Sequence, residues 1–286
     1  MNHNQKTKKI VNEDNFFIKK KFSQNFLLDE NIIQNIVKSA EIDELSYVIE
    51  VGPGLGALTK HLVKIAKKVL VYEIDSDLVE VLKELFLEKD NLNIIEKDFL
   101  KAKLDEDIDK YLDGSEKVVF ISNLPYHITT PIVMKVLEES KKVKSMTLMM
   151  QLEVAKRLTS KPNSKDYNAL SIIIQDQTEA KYLFKVSKSV FKPRPNVDSA
   201  VIKLDRTKVI IADENKRFYD FLHKAFAQRR KTLVNNLSEG YHEWTKEEIK
   251  GLLKNMNIDE NIRGEALSLT EFKDIFNSFK KKGEII

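Results

Sequence analysis

Tyr47-Val48-Ile49-Glu50-Val51-Gly52-Pro53-Gly54-Leu55-Gly56 runs from an apolar, β-branched pentapeptide into a turn with glycine at alternate positions. The pentapeptide has the pattern of a buried strand, and the apolar spacing of Leu58, Leu62 and Ile65 beyond the turn predicts an amphipathic helix. Strand, glycine turn and helix together predict an α/β sheet with a ligand at its carboxyl edge. The glycines let a ligand approach the backbone, and the helix start presents free N–H groups. Alternate glycines do not meet the Gly-x-Gly-x-x-Gly spacing of dinucleotide sites, which argues against a pyrophosphate ligand.

On the carboxyl side, Val69 to Glu73 reads as the second strand, with its acid 21 positions beyond Gly52. An acid at that place can grip both hydroxyls of a ribose; a solvent-facing strand end is the plain alternative. Leu92 to Glu96 is the third strand and is followed by Asp98, which suits either the amino group of a purine or a helix cap. Lys117 to Ile121 is another buried-strand run and delivers Asn123-Leu124-Pro125-Tyr126 to the sheet edge where open α/β sheets bind ligands.

That tetrapeptide suits a flat ring bearing an exocyclic amine. The Asn123 carbonyl can accept one amine hydrogen and a neighbouring backbone carbonyl the other, while Pro125 stiffens the backbone. Two such acceptors return the delocalised lone pair to nitrogen and make it nucleophilic without a general base. Tyr126 offers a stacking face, worth about 1–3 kcal/mol for a base. Taken alone, the four residues also suit an ordinary strand-to-turn exit.

The remaining chain supplies a frame for these residues. Asp29 is placed to cap a helix through Ile32, Ile33, Ile36 and Val37, preceded by Gln24-Asn25-Phe26-Leu27, where Asn25 can bond a ligand while Phe26 and Leu27 anchor the segment. A helix is predicted from Thr130 and Pro131, a strand over Met146 to Met150, and a helix over Glu153 to Leu158. Ala169 to Ile174 fits helix or strand and is read as paired with Lys181 to Val186. Phe191 to Ser199 is interrupted by prolines, so no regular structure is expected there, and Phe191 can offer a second aromatic face or, as a Phe beside two prolines more often does, pack within the loop. Ala200 to Leu204 reads as the last strand. From Asp205 onwards the apolar spacing is helical throughout, as in Phe218, Phe221, Leu222 and Ala225.

Composition narrows the function classes. The 286 residues suit two domains, and the absence of cysteine excludes disulfides and thiolate metal sites. The five histidines show no paired spacing, so no metal is expected. No apolar run is long enough for a membrane span, and Met1 to Lys21 has no apolar core of a secretory signal, so a cytoplasmic protein is expected. The net charge of +4 is small, but Lys6, Lys8, Lys9, then Lys19, Lys20, Lys21, and later Arg229, Arg230, Lys231 form basic runs of the kind that meet phosphates, solvated faces being the plain alternative for any one of them.

With Gln24 to Leu27, Glu50 to Gly56, Asn123 to Tyr126, Phe191 to Ser199 and Phe226 to Leu233 in view, the chain resembles the ribosomal RNA adenine dimethyltransferases from Lys21 to its end. The stretch Gln228-Arg229-Arg230-Lys231-Thr232-Leu233, with Asn235 and Leu237, resembles the branch acting on 16S RNA; the other motifs are shared with relatives that methylate 23S RNA. The resemblance implies a doubly wound, Rossmann-like sheet binding S-adenosylmethionine and a small all-helical domain for RNA. Residues 1–20, polar and without periodicity, read as a flexible basic arm, and the resemblance implies a catalytic domain over 21–206 and an RNA-binding domain over 207–286. Asn25, Leu27, Gly52, Gly54, Glu73, Asp98 and Asn123 would line the cofactor site. Asn123, Leu124, Pro125 and Tyr126 would carry the chemistry, with Phe191 beside the adenine and Arg229, Arg230 and Lys231 on phosphates. The partner implied is 16S ribosomal RNA in the immature small subunit, met by a monomer; a non-catalytic assembly checkpoint is the competing role. Ser23 departs from the family's usual glycine, and the arm before Lys21 is longer than in many members.

Overall fold

The structure is a computed structural model and describes residues 25–113, 117–208 and 212–281. The arm over 1–20 and Ser23 lie outside the described residues. The chain divides into two compact units, Met1–Ala155 with Lys181–Arg206, and Lys156–Ala180 with Thr207–Ile286.

In the first unit, strand β1 (Phe26–Leu27) leads into helix α1 (Glu30–Ser39). Asp29 caps this helix by accepting from the backbone N–H of Asn31 at 2.9 Å and of Ile32 at 3.2 Å. The cap satisfies two donors that the first turn leaves open. Ile33, Ile36 and Val37 form its buried face.

Strand β2 (Tyr47–Val51) is buried at every residue, as a parallel strand covered on both faces must be. Helix α2 (Thr59–Ile65), β3 (Lys68–Glu73), α3 (Ser76–Leu85), β4 (Leu92–Glu96) and α4 (Leu104–Tyr111) alternate after it, followed by β5 (Val118–Asn123), α5 (Thr129–Glu139) and β6 (Val143–Gln151). Helix α6 (Leu152–Thr159) and helix α7 (Ala169–Gln177) come next, then β7 (Thr178–Val186), β8 (Phe191–Lys192) and β9 (Ser199–Arg206).

The main sheet runs in the order β4-β3-β2-β5-β6-β9-β7. Each pair along β4-β3-β2-β5-β6 is parallel, whereas β6 and β9 pair antiparallel. The chain adds strands to one side of β2 through β4 and then crosses to β5 on the other side. That reversal opens a crevice beyond the carboxyl ends of β2 and β5.

A separate two-stranded ladder joins β1 to β8 antiparallel, with Leu27 opposite Phe191. Leu28 N–H also donates to the Val190 carbonyl at 3.1 Å. Phe191 and Lys192 are therefore regular structure, against the sequence expectation, because their partner comes from the start of the described chain.

The second unit holds α7, α8 (Ala212–Ala225), α9 (Leu233–Gly240), α10 (Lys246–Asn255) and α11 (Leu269–Lys281). Phe221, Phe276, Phe279, Tyr241 and Trp244 form its aromatic core, with the Trp244 and Phe279 rings stacked at 4.2 Å between centroids. Asp176 on α7 is buried there with Lys208 at 2.7 Å and Lys273 at 2.5 Å. Residues 156–180 thus join the helical unit, whereas the sequence division kept them within 21–206. The segment 169–174 is helix rather than strand, opened by a capping box in which Asn168 and Ser171 bond each other's backbone. It does not pair with β7, which closes the edge of the main sheet.

Candidate active site

The parallel register brings the ends of four strands to one edge. Gly52 and Gly54 follow β2, Glu73 ends β3, Asp98 follows β4, and Asn123 ends β5. The Ser122 hydroxyl donates to the Val51 carbonyl at 2.5 Å, which fixes the ends of β5 and β2 together. A cavity of about 360 Å³ opens at this edge, within the range of roughly 300–1,000 Å³ typical of small-molecule sites. Asn25, Leu27, Gly52, Gly54, Glu73, Asp98, Asn123, Leu124, Pro125 and Tyr126 all line it.

Two glycines define the near wall. Gly54 has φ +59°, and a Cβ there would stand 3.1 Å from the Phe26 ring, which packs with Leu55 and Leu78. Gly52 has φ +65°, and a Cβ there would meet Pro125 Cγ at 3.4 Å. A side chain at either position would be strained by the backbone, and at Gly54 it would be crowded as well. The glycine turn and the Asn-Leu-Pro-Tyr segment, remote in sequence, are thus in contact.

Glu73 is buried, and its Oε1 accepts from the backbone N–H of Ile74 at 2.8 Å and of Asp75 at 3.0 Å. Those bonds commit Oε1, and the Gly54 backbone N–H also bonds the carboxylate, tying the end of β3 to the glycine turn. Burial raises the Glu73 carboxyl above the ordinary range, while the bonds from Asp75, Ile74 and Gly54 act against that. Asp98 Oδ1 accepts from Leu100 N–H at 3.0 Å. It is the cap of a short 3₁₀ turn and a wall of the cavity at once, so the two sequence readings are compatible.

The Asn123 side-chain amide and the Leu124 carbonyl take no hydrogen bond from any described residue. The Leu124 N–H, in contrast, is held by the Met149 carbonyl at 3.0 Å. Two acceptors on adjacent residues are therefore open on a backbone anchored to β6. Tyr126 stands next in the wall, half-buried, with its hydroxyl 2.6 Å from Ser199 Oγ.

Glu50 is a wall residue to which sequence reasoning gave no part. It is 2% exposed, and its Oε2 accepts from the Thr59 hydroxyl at 2.7 Å. Burial pushes its carboxyl up to about 8; the Thr59 bond opposes this and the nearby Glu73 charge adds to it. A charged residue type inside a five-residue buried strand was the signal available in the sequence. Phe26 was read only as an anchor, yet it lines the cavity over Gly54.

Phe191 is not brought into the cavity wall. It is 5% exposed, paired with Leu27, and part of the apolar core with Val186 and Val201. Its ring belongs to that core and does not line the cavity.

Arg229, Arg230 and Lys231 lie in the second unit, on the turn between α8 and α9. Buried Asn236 staples that turn, donating to the carbonyls of Ala225 at 2.8 Å and Gln228 at 3.1 Å. Arg229 Nε donates to Glu265 at 3.2 Å and its Nη2 to the Lys165 carbonyl, and Lys231 pairs with Glu239 at 2.5 Å. Arg230 is exposed and has no partner among the described residues. Among those residues no group of three or more His, Asp or Glu could hold a metal ion, and no helix is long and apolar enough to cross a membrane.

Residues 15–279 match the family described as "Ribosomal RNA adenine dimethylase". The ribosomal RNA small subunit methyltransferase A of Bacillus pumilus is 43% identical over 280 residues, covering 96% of each chain. Among solved structures, a dimethyladenosine transferase from Plasmodium falciparum is 26% identical with a TM-score of 0.76, over 91% of this chain and 98% of that one. The 23S rRNA methyltransferase ErmE is also 26% identical, with a TM-score of 0.68 over 90% of this chain and all of its own. A match spanning both units and the whole cavity edge, together with a relative of such identity, shows that the chain belongs to the ribosomal RNA adenine dimethylase family.

Proposed function

We propose that this chain transfers two methyl groups from S-adenosylmethionine to the N6 amine of each of two adjacent adenosines near the 3′ end of 16S ribosomal RNA. The observation that carries the chemistry is the pair of open acceptors, Asn123 Oδ1 and the Leu124 carbonyl, at the cavity wall. The cavity fits the donor in its chemistry: a buried acid at the end of β3, Glu73, for the ribose, and Asp98 for the adenine amine. The bound donor supplies an electrophilic methyl on a sulfonium.

Asn123 and Leu124 then accept the two hydrogens of the target amine and localise its lone pair. Tyr126 gives the flipped base a face to stack on, which offsets part of the unstacking cost of a few kcal/mol. The proton released on each transfer leaves to water. Asn25 and Leu27 close the cofactor side, and Phe191 supports them by holding Leu27 in the β1–β8 ladder. Of the three cations on the turn between α8 and α9, Arg230 is the one open to a phosphate.

The substrate is the small ribosomal subunit during its assembly, met by a monomer in the cytoplasm. The test is transfer of radiolabelled methyl to unmethylated small subunits, with 23S RNA alongside. Roughly four methyls per subunit, two on each of two adenosines, are expected. The likeness to ErmE favours 23S RNA as the second reading, and label on that RNA alone would replace the first with it. Tight subunit binding with no label at all would leave a checkpoint role.

A further inference from the structure

We propose that Ser199 is a positioning residue for the methyl transfer, locking the Tyr126 ring in the orientation that receives the target base. The inference rests on the reading of Tyr126 as the stacking face. Tyr126 begins a 3₁₀ turn that has no side-chain cap, so Pro125 fixes its backbone but nothing in its own element fixes its ring. The Ser199 hydroxyl meets the Tyr126 hydroxyl at 2.6 Å, near the short end for such a bond.

Ser199 is fully buried at the first position of β9 and sits in register with Gln151 at the end of β6. The residue before it is held as firmly: the Asp198 carbonyl accepts from Leu152 N–H at 3.0 Å, and its carboxylate takes Lys188 N–H at 3.0 Å and the Lys185 ammonium at 2.7 Å. The hydroxyl that reaches Tyr126 is therefore mounted on rigid backbone from a strand two places away from β5. A buried hydroxyl has no water to take over the bond, so its removal frees the ring to swing about its side-chain torsions. A stacked base needs the ring in one place, and misplacement at a reacting centre lowers turnover more than binding.

The experiment measures kcat on unmethylated small subunits, the Kd for S-adenosylmethionine and the melting temperature for Ser199→Ala, Ser199→Thr, Tyr126→Phe, Tyr126→Ala and the Ser199→Ala/Tyr126→Phe double variant. Ser199→Ala and Tyr126→Phe are each expected to lower kcat by about five- to tenfold, the effect of one lost hydrogen bond, with the cofactor Kd unchanged. Ser199→Thr should restore most of the rate, and the double variant should be no slower than either single one.

Full activity of Tyr126→Phe, or fully multiplicative losses in the double variant, would overturn the inference while a severe loss in Tyr126→Ala leaves the stacking role standing. Unchanged kcat in Tyr126→Ala would remove that role and the inference with it. Should Ser199→Ala fail to fold, Tyr126→Phe still decides, since it deletes the same bond from the cavity side.

Discussion

Replacing Glu50 with Gln should stabilise the protein at neutral pH and do little in acid. The folded protein holds the Glu50 carboxyl protonated up to about pH 8, against 4.5 for the free side chain. Between those values the unfolded chain releases a proton that the folded chain retains, so folding weakens as pH rises through that window and levels off above it. Each unit of separation is worth about 1.36 kcal/mol, so the wild-type protein loses about 3 kcal/mol from roughly pH 5 to pH 7.5 on this account. Gln is nearly isosteric, carries no titrating group, and keeps an oxygen to accept from Thr59. Glu73 is present in both proteins, so its own titration largely cancels in the difference.

Thermal unfolding of both proteins across that range, followed by calorimetry, gives the readout. The melting temperature of Glu50→Gln should exceed that of the wild type by a margin that widens with pH, reaching roughly 6–12 °C at the upper end for a domain of this size. A margin that stays constant with pH would refute the reasoning. So would a variant less stable at pH 7.5, which would mean that Glu50 is ionised and favourably held in the folded state.

Asn123→Ala should lower turnover by about 10²–10³-fold, as loss of one preorganised group at a reacting centre does, with a much smaller change in cofactor Kd; equal losses in both would reassign Asn123 to binding alone. Glu73→Ala should weaken S-adenosylmethionine by about 10–100-fold in calorimetry, and an unchanged constant would exclude the ribose role. Arg230→Gln should reduce the slope of log affinity for the small subunit against log salt by about one. Arg229→Gln should change it less, because that guanidinium already serves Glu265 and Lys165. The reverse order would mean that RNA displaces the Arg229 contacts.

The cavity edge was legible because its parts are local. A buried strand, its glycine turn and the acid at the next strand end follow from period and spacing, and the register of β2, β3 and β5 then brings them together. Features that depend on a distant partner were not legible. Phe191 was read as a loop aromatic, either facing the base or packed in its loop, and nothing near it in the chain announces the pairing with Leu27 that buries it. The bond from Ser199 to Tyr126 is invisible for the same reason. The segment 169–174 was ambiguous because Ile172, Ile173 and Ile174 are all buried, which erases the periodicity that separates helix from strand. Its place beside α8 and α11 follows from packing that no window of sequence contains.

The β1–β8 ladder also sets a timetable for synthesis. Asn25 and Leu27 are among the first described residues to leave the ribosome, yet Phe191 and Lys192 are among the last of the first unit to do so. Every strand end that lines the cavity has emerged once Tyr126 is out. At about 5–20 residues per second, several more seconds pass before the partner of Phe26 and Leu27 exists. Through that interval a nascent chain carries the glycine turn and the Asn-Leu-Pro-Tyr segment but lacks the ladder that fastens Phe26 and Leu27. The wall that Asn25 and Leu27 give the cavity is thus fastened only late in the chain's own translation.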